Sequence, residues 1–350
     1  MNAQSKTLRN LSDLTESALV TQEKRAALEQ VAKRYAVAVT PAMAELIDPN
    51  DPADPIARQF VPDTAELKTG AEEASDPIGD FAHTPVDGIV HRYPDRVLLK
   101  LTHICAVYCR FCFRRDMIGP GAKALDATAL DKALDYIAAH PEIWEVVLTG
   151  GDPLVLSPRR IKQVVLRIAK IPHVAVIRVH TRMPVADPAR ITPALVRALK
   201  ARGKATYVVL HANHPRELTE AARTACARFI DAGIPMLSQS VLLRGVNDDP
   251  ETLGALMRAF VTARIKPYYL HHADLAPGTS HLRTTIERGQ ELMRGLRGRY
   301  SGLCQPSYVL DIPGGHGKSP IGPNYLTAEA DGRFRVTDFN GGEHCYPPPT

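Results

Sequence analysis

The sequence predicts an α/β fold on a parallel sheet, and three observations carry that expectation. From Arg96 to Arg297, six strand candidates alternate with six helical patterns. This is the order of βα units whose helices pack outside a parallel sheet. The alternating stretch is about 200 residues, short of the ~250 of a full eight-unit barrel, which suits a (βα)6 partial TIM barrel. Three cysteines fall on the loop leaving the first of these strands, and ligands gather at such strand ends. A doubly wound sheet competes with this reading and would place ligands at a switch point.

Taken in order, residues 11–47 read as helical. Leu11, Leu14, Leu19, Ala26, Leu28, Val31 and Tyr35 recur at rough helical spacing, and Pro41 can open another helix through Leu46. Residues 48–88 repeat Asp-Pro at Asp51-Pro52, Asp54-Pro55 and Asp76-Pro77, which predicts an irregular connector lying over the surface. The strand candidates are 96–102, 144–149, 174–179, 206–211, 234–240 and 266–271, each short, apolar and rich in β-branched or aromatic residues. Helical patterns fill 126–139, 158–169, 192–202, 217–232, 250–264 and 283–297. Residues 305–311 read as a seventh strand, and the tail alternates turns with short strands to Tyr346. Three regions follow: an N-terminal helical extension and connector (1–88), the partial barrel (89–300) and a C-terminal strand and loop segment (301–350).

Composition bounds the function classes. The chain has 350 residues, 45% hydrophobic and 23% charged, as in ordinary soluble globular proteins. A net charge of +5 suits small anionic ligands as well as nucleic acid. There is no basic stripe interleaved with aromatics, so no nucleic-acid partner is expected. No apolar run approaches the ~20 residues of a membrane span, and the polar Met1 to Gln30 lacks a signal-peptide core. Six cysteines with three clustered argue for metal rather than disulfides, hence a reducing cytoplasm. Cys226, Cys304 and Cys345 read as packed or surface thiols.

Cys105, Cys109 and Cys112 are spaced C-x3-C-x2-C. Fe–S clusters are held by cysteine thiolates, usually four. Three would bind three irons of a [4Fe-4S] cluster and leave one open to a ligand. A zinc site completed by His103 or a distant cysteine is the alternative. Gly150 and Gly151, before Asp152, end the second strand; they allow close backbone approach to a ligand, or form a plain turn. Residues 311–319, Asp-Ile-Pro-Gly-Gly-His-Gly-Lys-Ser, fail the P-loop pattern because Ile312 replaces its first glycine. Lys318 on this turn is either an exposed lysine or a Schiff-base former with a lowered pKa.

The cysteine spacing, with an aromatic before the third cysteine, resembles the radical S-adenosylmethionine (SAM) enzymes. Together with residues 91–96, the Gln239 to Asp248 segment and the 307–325 segment, it resembles the lysine 2,3-aminomutase family over about residues 80–346. The resemblance implies an isomerase that converts L-lysine to L-β-lysine through a 5′-deoxyadenosyl radical. It implies a [4Fe-4S] cluster on Cys105, Cys109 and Cys112, with SAM on its open iron, and pyridoxal 5′-phosphate (PLP) as a Schiff base on Lys318. Gly150, Gly151 and Asp152 match the motif that binds the methionyl amine of SAM, and Gln239 matches a SAM contact. Arg92 and Arg96 match arginines near the PLP phosphate, whose charge suits a guanidinium fork, and Tyr93 a tyrosine beside the PLP ring. Arg114 matches the arginine for the substrate carboxylate, and Asp274 and Asp311 the pair that receives the lysine ε-ammonium. An external one-electron reductant such as flavodoxin or ferredoxin, and a homo-oligomer, are also implied.

Departures from the family pattern shape further expectations. Asp249 follows Val246-Asn247-Asp248 where the best-known members carry a zinc-binding cysteine, and no cysteine cluster follows Cys345; no structural zinc is expected. Phe111, at a cofactor-facing position, replaces a histidine, and His271 replaces a tyrosine. Lysine modification for elongation factor P is an alternative setting for the same chemistry. A glutamate substrate would not call for the two aspartates, and a non-catalytic metal-binding module is the reading from another class.

Overall fold

The structure, a computed structural model, describes residues 6–119, 121 and 124–348. The N-terminal region holds α1 (Leu11–Glu16), α2 (Gln22–Arg34), α3 (Pro41–Ala44) and α4 (Ala57–Phe60). The helical reading of 11–47 is therefore corrected. Ala18 takes φ 58, which breaks the chain before Thr21 caps α2. Residues 35–39 run extended, with Val39 bridged to Leu8.

The barrel strands are β1 (Ile89–Tyr93), β2 (Arg96–Thr102), β3 (Glu145–Gly150), β4 (Val176–Thr181), β5 (Ala205–His211), β6 (Met236–Leu242), β7 (Ile265–His272), β8 (Ser307–Ile312) and β9 (Gly317–Pro320). They form one sheet in sequence order. β2 to β8 are parallel, while β1 and β9 flank them antiparallel. The helices are α5 (Ala127–Ala139), α6 (Pro158–Ala169), α7 (Met183–Ala186), α8 (Pro193–Ala198), α9 (Glu220–Asp231), α10 (Pro250–Thr262) and α11 (Ile286–Leu296). Six of them start on a side-chain cap: Asp126, Ser157, Thr192, Thr219, Asp249 and Thr285. Such caps satisfy orphan N–H groups at a helix start, and Pro158, Pro193 and Pro250 tolerate the first turn. The six βα units and the partial barrel are as expected.

The sheet curves. Nine flat strands spaced ~4.8 Å would spread over ~38 Å. Here Val90 of β1, Val147 of β3, Gln239 of β6 and Lys318 of β9 all border one cavity. Strand residues alternate between two environments. Val147 and Thr149 face the cavity, while Val146 and Leu148 are buried in the apolar core with Leu130, Ile137, Ile161 and Val165. Each such side chain contributes ~1.5–3 kcal/mol of burial.

Three expectations need correction. The connector 48–88 does not lie over the surface, because Ile56, Gln59, Phe60, Glu66 and Asp80 are buried. Its acids and amide pair with arginines on the barrel loops and are drawn inward. β1 was not anticipated as a strand, and Lys318 sits on β9 rather than on a turn. Residues 313–316 make the turn, which returns the chain antiparallel to β8. The tail forms a small exposed sheet of β10 (Leu326–Ala328), β11 (Phe334–Thr337) and β12 (Glu343–Tyr346). Among the described residues no helix is long and apolar enough to cross a membrane.

Candidate active site

All fifteen site residues singled out from the sequence line one cavity of about 280 Å³ inside the curved sheet. The structure brings the whole set together.

At one end lies the cysteine loop after β2. Gly151 N donates to Thr102 O at 2.6 Å and Asp152 N to Ile104 O at 2.9 Å. A Cβ on Gly150 (φ +121°) would stand 2.2 Å from Thr102 O, and one on Gly151 2.3 Å from Ile104 O. The close approach that these glycines permit is thus to the cysteine loop itself. The Asp152 carboxylate accepts from Leu154 N, Thr181 Oγ1 and Arg182 N at 2.8–2.9 Å. It ties the end of β3 to the end of β4.

Buried ion pairs brace the loop. Glu66 of the connector accepts from Arg110 and Arg115, and Arg115 stacks 3.5 Å above the Tyr35 ring. Arg182 pairs with Glu217, bonds Gln59 Oε1 at 2.7 Å and points Nη1 at Cys109 Sγ, 3.6 Å away. Burial pushes all three thiols up, Cys112 to about 11. Metal binding must displace those protons. Among the described residues no three His, Cys, Asp or Glu side chains are drawn onto a common metal point. The donor set nevertheless fits a cluster: three thiols from one loop face the cavity, with a guanidinium beside one sulfur to offset negative charge. Phe111 packs edge-on against His211 at 5.6 Å, and Gln239 borders the same space.

At the other end, Lys318 and Asp311 are cross-strand partners on β9 and β8. Lys318 Nζ lies 2.7 Å from Asp311 Oδ1, and His271 Nδ1 lies 3.3 Å from Oδ2. Burial would raise Asp311, but His271 and the Lys318 ammonium outweigh it and hold the carboxyl below its usual range. Asp274 behaves oppositely. Burial, with the Asp311 charge added, pushes it up to about 8. Tyr93 Oη accepts from Lys318 N at 2.7 Å, and the Arg96 guanidinium stacks 3.8 Å from the Tyr93 ring. Among the described residues, Arg92 Nε and Arg178 Nε are buried without a partner. A phosphate dianion beside Arg92, Arg96 and Arg178, with an aldehyde at Lys318, fits this end.

Sequence reasoning missed several residues. Asp80, 1% exposed, takes Arg92 on Oδ1 at 2.8 Å and Arg114 on Oδ2 at 2.7 Å. Burial raises its pKa, but the two arginines outweigh this and hold it below the carboxylate norm. Nothing in the Asp-Pro composition of the connector marked it as internal. His180 and His211 line the cavity, and burial lowers both well below the histidine norm. Their signal was available, since each falls at the C-terminal end of a strand on the inward-facing alternation.

A partial barrel carrying three cysteines on its first βα loop defines the class. Residues 99–256 match the model of the Radical SAM superfamily, and residues 293–350 match that described as Lysine-2,3-aminomutase. An L-lysine 2,3-aminomutase of Clostridium subterminale is 41% identical over 94% of this chain and 79% of its own. One of Acetoanaerobium sticklandii is 41% identical over 94% and 80%. A glutamate 2,3-aminomutase of Clostridioides difficile is 34% identical over 95% and 78%. The chain belongs to the lysine 2,3-aminomutase family of radical SAM enzymes.

Proposed function

We propose that this protein is a PLP-dependent radical SAM isomerase that converts L-lysine to L-β-lysine by moving the amino group from C2 to C3. The observation that carries the lysine reading is the acidic end of the cavity, where Asp274 and Asp311 stand together and Asp311 already holds an ammonium, that of Lys318. A glutamate side chain would bring its carboxylate against the ionised Asp311 at this end, and like charges there cost several kcal/mol.

The chain's own residues divide the work. Cys105, Cys109 and Cys112 hold the cluster, and Gly150, Gly151, Asp152, Gln239 and Phe111 shape the SAM side. Arg92, Arg96 and Tyr93 seat the phosphate and ring of PLP. Arg114 turns from Asp80 toward the substrate carboxylate, while Asp274 and Asp311 receive the distal ammonium. Fixing both ends of lysine orients its β-carbon toward the radical source, and such positioning can supply ~7–11 kcal/mol of a barrier. When bound, the cluster and SAM supply a 5′-deoxyadenosyl radical, and PLP supplies a conjugated nitrogen carrier. Burial favours the neutral form of the histidines His180, His211 and His271 on the cavity wall.

The regions 1–88, 89–300 and 301–350 are read as extension and connector, radical SAM barrel and PLP-lysine segment. An external one-electron reductant, a homo-oligomeric assembly and a cytoplasmic location complete the proposal.

The test is product analysis. Anaerobically reconstituted protein with SAM, PLP and dithionite should form β-lysine from L-lysine and no β-glutamate from L-glutamate. Formation of β-glutamate at a comparable rate would overturn the lysine reading.

A further inference from the structure

We propose that a small acidic one-electron carrier protein docks on a basic groove behind the cysteine loop and reduces the cluster from there. This rests on the radical SAM reading, which requires an electron from outside. The groove, about 500 Å³, runs between the N-terminal helices and residues 115–119. Its rim carries Arg9, Lys33 and Arg34, all exposed. Among the described residues none of these three side chains forms a salt bridge, and Asp116 is the single acid on the lining. Arg115 on the same lining already pairs with Glu66. The catalytic reading uses none of the three free cations.

Position makes the groove more than a charged surface. Its wall includes residues 35–37, and this segment, continued through Ala38, bonds directly to the cysteine loop. Ala36 O accepts from Arg110 Nη1 at 2.8 Å, and Ala38 O accepts from Tyr108 N at 3.1 Å. Arg110 and Tyr108 flank Cys109 on both sides. The backbone of residues 36–38 therefore lies between the groove and the loop that carries Cys109. A carrier bearing reduced flavin or an iron–sulfur centre would lose one electron, taking the oxidised cluster from [4Fe-4S]2+ to [4Fe-4S]+ with no bond made or broken. Opposite charge on the two surfaces speeds encounter and is screened by salt.

The experiment uses the holoenzyme and reduced flavodoxin under anaerobic stopped flow, following flavin oxidation. The triple variant Arg9→Glu, Lys33→Glu, Arg34→Glu should slow electron transfer at least tenfold at low salt. The wild-type rate should fall as salt rises, and the variant's should not. Reduction by dithionite, and lysine turnover driven by it, should be unchanged in the variant. If the triple variant loads less cluster, Lys33→Glu alone, with full cluster, should still show a severalfold loss. A variant that takes electrons from flavodoxin at the wild-type rate, or a wild-type rate indifferent to salt, would overturn the docking site. Absence of lysine turnover with dithionite in the wild type would instead count against the functional reading.

Discussion

Lys318 and Asp311 face one another across the β8–β9 pair, ammonium to carboxylate at 2.7 Å. The chain's own lysine thus occupies a carboxylate assigned to the terminal ammonium of a lysine substrate. Replacing Asp311 with Asn keeps the shape and removes the charge. Breaking one side of a desolvated pair costs ~3–5 kcal/mol. Asp311→Asn should lower kcat/KM for lysine by two to three orders of magnitude at ~1.4 kcal/mol per tenfold. Iron and PLP contents should stay at wild-type levels. Steady-state kinetics beside cofactor analysis checks this, and wild-type kinetics would reduce Asp311 to a strand-end residue.

Asp80→Asn should destabilise the protein and loosen the arginines around the proposed phosphate seat. Arg92 and Arg114 would share a neutral amide where they now share a carboxylate, a loss of ~3–5 kcal/mol for a buried pair. A clear drop in thermal midpoint and weaker PLP retention are expected. An unchanged midpoint would show that the bridge does not operate in solution.

Asp274 gives the pH dependence. Its carboxyl is raised to about 8 in the folded chain, against ~3.9 unfolded. Between those values the folded state binds more protons than the unfolded, so stability falls as pH rises through that window. Thermal midpoints of cofactor-free protein should decline from pH 5 to 8, and Asp274→Asn should flatten the slope. Equal slopes would contradict the assignment.

Much of the fold was legible in the sequence because its βα units keep two periods apart: inward–outward alternation on strands and helical spacing between them. The cysteine loop, the glycine pair and Lys318 were legible because their chemistry is local. The connector was not. Glu66, Gln59 and Asp80 are polar residues in an Asp-Pro-rich stretch, and their burial is decided by Arg110, Arg115, Arg182, Arg92 and Arg114. Those partners lie 12 to 123 residues away in sequence, beyond any helix or strand period, so no local pattern carries the information. The glycine pair was legible as a close approach, but its partner, the backbone of Thr102 and Ile104, appears only in three dimensions.

Gly151→Ala tests that partnership. The new Cβ would lie 2.3 Å from Ile104 O, a backbone atom that cannot swing aside. The cysteine loop must shift, and iron and sulfide content after reconstitution should fall well below wild type. Full cluster content would mean the loop tolerates the displacement.

The central claim, a radical amino migration on lysine, is tested most directly by isotope transfer. L-lysine deuterated at C3 should yield β-lysine with deuterium at C2, and deuterium should also enter 5′-deoxyadenosine. Deuterium-free 5′-deoxyadenosine, with C3 label retained in place, would contradict the account.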